Sequence, residues 1–449
     1  MVPRLPKLHI AWPSPALLFL LYAVPLLLAI ALITPAWQEP DEPFHLLRAV
    51  QIAHGGLIGT RAWGSAGGDS DPAIYRAYEP VRLVAMHGER RITRAALAAS
   101  AAVRWQPSTV YTPFPNTAQY GPVFYLPQAA SYWLGRAGGL TVNHTLLLAR
   151  IVNATLFALV AAAAIATARR ARPLLTALLL LPTTLFLAAS AGQDSILLAC
   201  TALAVSLIDR ATNEGRPATP RESVVLTAIL IVIAMARPPY AGFLLLLLAV
   251  TPRPQPRGIR LLLPATLIVL AWCIAVALQV SIRLGGSDIH QQLALLAADP
   301  GRIPGIIATT ARAFTLEYWV QFIGVLGWTD TRLPNAYIIL ASVTLALAVL
   351  ASTNGRPRQP LLVLAGVAFA VIAIFVLQYL TWTWPGQPLI TGVLGRYFIA
   401  PAMILALALP YIPWRGGNLI YTANAAIFLQ AAITPAVVLH ALVSRYYLF

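Results

Sequence analysis

The chain has 449 residues, of which 59% are apolar and only 10% charged, with a formal net charge of +16 and a mean hydropathy of +0.73. Soluble globular proteins carry about 25% charged residues, and several apolar runs here reach the 18 or more residues that read as membrane-spanning helices. A soluble enzyme, a secreted module and a disordered chain are excluded, and the fold class is an all-α polytopic membrane protein.

At the start, Arg4 and Lys7 precede an apolar run from Pro15 to Pro35. That run exceeds the roughly 7–15 residues of a signal-peptide core, and no small-residue cleavage site follows, so it reads as a retained first span beginning in the cytoplasm. A polar stretch of about 36–120 comes next, with seven of the fifteen acids, eight arginines and the histidines His45, His54 and His87. A loop this long in a compact protein is usually functional. Residues 121–136 are apolar but short and carry Pro127, which predicts a helix lying in the membrane interface.

Apolar runs then follow at about 143–168, 173–190, 193–209, 223–236, 238–251, 259–283, 335–351, 361–380, 397–413 and 419–441. Between them fall Arg169, Arg170 and Arg172; Arg210, Arg216 and Arg221; Arg253, Arg257 and Arg260; Arg356 and Arg358; and Arg415. With Arg4 and Lys7 these make 14 basic residues, against Asp209, Glu214 and Glu222. Basic loops lie in the cytoplasm, so the spans alternate and loop 36–120 is extracytoplasmic. The pair 223–236 and 238–251 is broken by Arg237-Pro238-Pro239. Each leg is about 21 Å at 1.5 Å per residue, short of a hydrocarbon core of roughly 30 Å. It reads as a short hairpin with its tip toward the outer face. Eleven to thirteen spans result, without an internal repeat of the transporter kind. The net charge thus marks orientation and does not point to nucleic acid. Cys200 and Cys273 both lie inside apolar runs and support neither a disulfide framework nor a metal site.

Three places could carry chemistry, all on the outer side. The first is Glu39-Pro40-Asp41-Glu42-Pro43-Phe44-His45, where Asp41, Glu42 and His45 can share one side of a helix turn. Paired carboxylates at a membrane surface do base chemistry or hold a divalent cation, although Asp41 also suits an N-cap and Glu42 a first turn. The second is Asp194, at the turn between two apolar runs, either an N-cap or a functional ionisable group. The third is Arg237 with Arg396 of Gly395-Arg396-Tyr397-Phe398. Guanidinium groups hold phosphate in a bidentate fork at the depth of a lipid phosphate, or snorkel from helix ends. Tyr318, Trp319, Trp328, Trp382 and Trp384 crowd the outer edges, as interfacial belts do, and some of these rings could stack on a sugar. Phosphate-binding loops, dinucleotide fingerprints, zinc spacings and nucleophile elbows are absent, so no nucleotide cofactor is expected and an enzyme acting outside must take its donor from the membrane.

Pro40-Asp41-Glu42-Pro43-Phe44-His45 with Arg48-Ala49 resembles the opening motif of the bacterial membrane family named domain of unknown function 2142. Asp194-Ser195, Arg237-Pro238-Pro239-Tyr240, Leu326-Gly327-Trp328-Thr329-Asp330 with Pro334, and Gly395-Arg396-Tyr397-Phe398 match its further motifs in order, over about 15–410. The departure is Leu394, where the pattern has a glutamine. The family is similar to the GT-C superfamily of multi-span glycosyltransferases. That resemblance implies one GT-C-like domain over 1–449, with a first extracytoplasmic loop at 36–120 and a second large outer segment at 284–334. It implies a polyprenyl-phosphate sugar as donor and a glycan, lipid or protein as acceptor, in a bacterial cytoplasmic membrane. By the same resemblance Asp41 and Glu42 are the catalytic acidic pair and Asp194 the assisting carboxylate. Taken with the residue-level reading above, Asp41 is expected to be the base, Asp194 and His45 to assist or orient the acceptor, and Arg396, Arg237 and Tyr397 to bind the donor phosphate. Asp41, Glu42 and Asp194 are the ligands if a divalent cation, Mg or Mn, is used.

Two other classes compete. A transporter or flippase of lipid-linked glycans would spread charges along a path through the membrane, whereas here the acids cluster at one face. A non-catalytic assembly partner would make Asp41 dispensable.

Overall fold

The structure is a computed structural model that describes residues 14–250, 256–280, 287–353, 359–412 and 418–448. Arg4, Lys7, Arg253, Arg356, Arg358, Arg415 and the first three residues of segment 284–334 lie outside them.

Helix α1 (Pro15–Ile33) starts where the Ser14 hydroxyl accepts the Leu17 N–H, with proline in its first turn; proline's missing N–H costs nothing there. Segment 36–141 then forms helices α2 (Glu42–Ala53), α3 (Ala73–Tyr78), α4 (Arg94–Ala101) and α5 (Leu126–Ala137). It also holds an antiparallel sheet of β1 (Thr60–Ala62), β2 (Ser65–Ser70) and β3 (Val110–Pro113), in that order. The stretch expected to lie in the membrane interface forms α5. It buries Gln128, Ser131, Tyr132 and Gly135 and leaves Leu126, Trp133 and Leu134 exposed, the two-faced pattern of a helix lying along a surface.

The bundle continues with α6 (Val142–Thr167), α7 (Arg172–Leu179), α8 (Pro182–Ala188), α9 (Asp194–Asn213), α10 (Pro220–Ala236) and a 3-10 segment, Pro238–Val250. Next come α11 (Pro256–Gln279), α12 (Ile289–Ala298), α13 (Arg302–Gly324), a two-stranded hairpin of β4 (Val325–Leu326) and β5 (Thr331–Arg332), α14 (Asn335–Ala351), α15 (Pro360–Thr381), α16 (Ile399–Leu405) and α17 (Asn418–Tyr446). Among the described residues, α1, α6, α9, Arg257–Gln279, α15 and α17 are long and apolar enough to cross a membrane, and Pro238–Ala249, α14 and Gly395–Leu405 are shorter apolar segments. The protein is an all-α polytopic membrane protein, with its small sheets confined to connections. The apolar run 173–190 divides at Pro182 into α7 and α8, because proline cannot donate to the preceding turn.

Packing gathers one set of chain ends. Helix α6 lies against α1 and α9, and the Pro238–Val250 segment lies between α10 and α15. The start of α2, the start of α9, the end of α10, the end of α15 and the turn Gly395–Phe398 meet at the end of the bundle that carries segment 36–141.

Candidate functional site

Asp41 precedes α2 with φ at 59°, a left-handed conformation that side chains rarely adopt and aspartate tolerates better than most. It does not cap the helix with its side chain. Instead Asn116 Nδ2 donates to Asp41 Oδ1 at 3.0 Å, and Arg396 Nη2 stands 3.5 Å from Oδ2. Glu42, one residue on, is helical and points elsewhere. It is fully buried and receives Arg150 Nε and Nη2 at 2.7 and 2.6 Å, with the N–H groups of Trp37 and Ala191 at 3.1 and 3.3 Å. Arg150 also donates to the carbonyls of Ala31, Thr34 and Pro35, which the end of α1 leaves without helical partners. Glu42 therefore closes the joint between α1, α2 and α6, and Asp41 alone of the pair lines a cavity.

Asp194 likewise does not cap its helix. Arg237, at the break after α10, grips it through Nε at 3.0 Å and Nη2 at 2.6 and 2.7 Å. The Arg237 guanidinium lies 5.0 Å from the Tyr397 ring and 5.6 Å from that of Tyr120, and Arg396 stands 5.7 Å from Tyr397 on its own account. Tyr397 is thus a shared aromatic rest for two cations, held through its carbonyl by the Tyr240 hydroxyl at 2.8 Å. Among the described residues the buried Nε of Arg396 has no hydrogen-bond partner.

The position of Arg396 comes from its neighbour. Gly395 lets the turn press against α13: its N–H donates to Gln321 Oε1 at 2.8 Å, and a Cβ there would sit 2.1 Å from the Tyr318 carbonyl oxygen. His45 shares a 2.6 Å hydrogen bond between Nδ1 and the Tyr125 hydroxyl and stacks beside Tyr120. Burial holds its pKa below the ordinary histidine value, so it is neutral at neutral pH.

These groups frame two contiguous spaces. A polar cleft of about 30 Å³ is lined by Asp41, His45, Asn116, Asp194, Arg237 and Arg396. Beside it, and sharing Asp41, Arg237 and Arg396 as lining, is a cavity of about 250 Å³ that also takes in the end of α15 and Trp328. Asp41, His45, Asp194, Arg237, Arg396 and Tyr397 are brought together, and Glu42 is not. Asn116, Gln119, Tyr120 and Gln378 join the lining without a motif that would have singled them out. Arg150 carried a signal, a lone charge inside an apolar run. Leu394, the residue that departs from the family pattern, lines the cavity beside Arg396.

The cation set Asp41, Glu42 and Asp194 does not converge, since Glu42 and Asp194 are each committed to an arginine. Among the described residues no three histidine, cysteine, aspartate or glutamate side chains form a group able to hold a metal ion. The donor set does not fit a divalent cation.

No curated protein and no solved structure matches the chain. The model of the family described as "Predicted membrane protein (DUF2142)" matches residues 25–405, a span that contains every cavity residue named above, and the chain belongs to that family.

Proposed function

We propose that the protein is a membrane-embedded, inverting glycosyltransferase of the GT-C kind. It moves a sugar from a polyprenyl-phosphate donor to an acceptor hydroxyl of a cell-envelope glycan, glycolipid or protein, on the outer face of a bacterial cytoplasmic membrane. The observation that carries this reading is the pairing of Asp41 with Arg396 at 3.5 Å, in a cavity lined in part by a helix apolar enough to span the membrane. A base, an anion site and an apolar wall in one space suit a substrate that is part lipid, part phosphate and part sugar.

Asp41, oriented by Asn116, takes the proton of the acceptor hydroxyl. The acceptor oxygen forms a bond to the anomeric carbon from the face opposite the phosphate. The bond from that carbon to the phosphate oxygen breaks, and polyprenyl phosphate leaves with the electron pair. Arg396 meets the charge growing on the leaving phosphate, a preorganised electrostatic contribution of the kind that often dominates catalysis. Arg237 adds to that field while fixed by Asp194, and neutral His45 shapes the acceptor side of the cleft through Tyr125. Glu42 acts through the position of Asp41. No metal is needed for this balance.

Reconstituted protein given polyprenyl-phosphate sugars and candidate acceptors tests the reading. Transfer that Asp41→Asn abolishes supports it, and full activity in Asp41→Asn removes the base from the mechanism. Movement of the lipid between leaflets with no new glycosidic bond would replace the enzyme with a flippase.

A further inference from the structure

The face of α15 in the cavity changes character along its length. Ile374, Leu377, Gln378, Thr381 and Trp382 line the space at the spacing i, i+3, i+4, i+7, i+8 that defines one helix face. The eight steps from 374 to 382 rise about 12 Å. Ile374 and Leu377 make one end of this face apolar, and Gln378, Thr381 and Trp382 make the other polar and aromatic.

The end that carries Gln378 and Trp382 is held by residues that do not line the cavity. Gln292 Nε2 donates to the carbonyls of Tyr379 and Thr383 at 3.1 and 2.9 Å, and the Ser287 hydroxyl donates to that of Thr381 at 2.7 Å. The last carbonyls of a helix need partners. Because neighbours supply them, the side-chain amide of Gln378 is not consumed in capping, and it has no hydrogen-bond partner among the described residues. Gly392, at φ 80°, packs so closely that a Cβ there would meet Trp382 Cδ1 at 2.5 Å. The indole is braced at one edge and remains 41% exposed overall. The cavity's charged residues, Asp41, Arg237 and Arg396, all lie outside the face that α15 contributes.

We infer that Gln378 and Trp382 form the sugar subsite of the donor and that the sugar is a neutral, hydroxyl-rich hexose. This rests on the donor reading above. The free amide offers donors and an acceptor to ring hydroxyls, and the indole offers a flat apolar surface to the C–H face of the ring. A sugar bearing a carboxylate or ammonium group would leave water with no counter-charge on this wall, which is costly.

The test uses the full-length protein in lipid nanodiscs and three phosphodiester probes of equal charge at phosphorus: polyprenyl methyl phosphate, polyprenyl-phosphate hexose and its C6-carboxylate counterpart. The hexose probe is expected to bind about tenfold tighter than the methyl probe, the scale of one or two hydrogen bonds. Gln378→Ala and Trp382→Ala each erase that difference while leaving methyl-probe affinity unchanged, and the same-shaped Gln378→Glu also loses it. The carboxylate probe binds no tighter than the methyl probe. Equal affinity for the methyl and hexose probes overturns the subsite. So does a variant that weakens both probes alike, or a preference for the carboxylate. Failure of the wild type to bind any of the three overturns the lipid-phosphate donor itself, and the subsite with it.

Discussion

Glu42 and Arg150 lie 108 residues apart and meet in a forked, fully buried ion pair at 2.6 and 2.7 Å, while Asp41 beside Glu42 is 35% exposed to the cavity. Two adjacent carboxylates thus divide the work. Breaking a buried pair from one side strands the other charge at a cost of about 3–5 kcal/mol, whereas replacing both partners by apolar groups of similar volume is often neutral. Glu42→Leu and Arg150→Met are each expected to lower the thermal unfolding midpoint sharply, and the double variant to recover most of that loss. Asp41→Asn leaves the midpoint near wild type. A Glu42→Leu variant as stable as wild type would show that the joint does not depend on this pair.

The two cavity arginines differ in the same way. Removing the Arg237 side chain abandons three hydrogen bonds and leaves Asp194 mostly buried and unpaired. Removing Arg396 abandons a 3.5 Å approach to a carboxylate that water reaches. Arg396→Ala is therefore expected to fold with a near-native midpoint and to lose affinity for polyprenyl methyl phosphate by roughly 10- to 100-fold, the range of about 1.5–3 kcal/mol for a hydrogen bond to a charged group. Arg237→Ala loses stability first. Thermal scans beside lipid binding separate the two, and unchanged affinity in Arg396→Ala would take the phosphate away from that residue.

The meeting of Asp41, His45, Asp194, Arg237 and Arg396 around one cleft was legible in the sequence, because the alternation of apolar runs and basic loops leads to the expectation that all five share one end of the bundle. The separate fate of Glu42 was not. Its partner is 108 residues away, and the left-handed backbone at Asp41, which turns the two side chains apart, has no signature in Pro-Asp-Glu-Pro. The sheet in segment 36–141 was also hidden, since β2 reads Ser-Ala-Gly-Gly-Asp-Ser without the β-branched or aromatic residues that mark strands. Gly67 in it is required by proximity: a Cβ there would lie 2.0 Å from the Thr112 carbonyl oxygen.

Glu39 supplies a pH dependence. It is fully buried beside the Glu42–Arg150 joint, and among the described residues neither carboxylate oxygen meets a partner at good hydrogen-bond geometry, with the Thr34 hydroxyl the nearby donor. Burial raises its pKa well above the ordinary value, the Glu42 charge adds to this, and Arg150 opposes it. The folded state holds a proton where the unfolded chain, with glutamate near 4.3, has lost it. Stability is then complete below the unfolded pKa and falls as pH rises toward the folded pKa, by up to about 1.4 kcal/mol per pH unit. Glu39→Gln removes that contribution: its unfolding midpoint declines less steeply than the wild type's as pH rises, and the two curves converge in acid. Parallel curves across the range would place Glu39 in a solvated setting.

Gly395 shows how far the anion site depends on one hydrogen atom. A Cβ at this position would lie 2.1 Å from the Tyr318 carbonyl oxygen and 2.7 Å from the Phe322 nitrogen, both backbone atoms of α13. A helix backbone cannot step aside as a flexible side chain does, so the turn carrying Arg396 must move. A displacement of an ångström in a positioned group can cost about 100-fold in rate. Gly395→Ala is accordingly expected to impair binding of polyprenyl methyl phosphate as Arg396→Ala does, although the guanidinium is still present. Gly305→Ala in the same helix meets nothing within 4 Å, so it gains helix propensity of up to about 1 kcal/mol and leaves binding unchanged. Loss of binding in Gly305→Ala as well would mean that α13 as a whole, rather than its contact with Gly395, sets the register of Arg396.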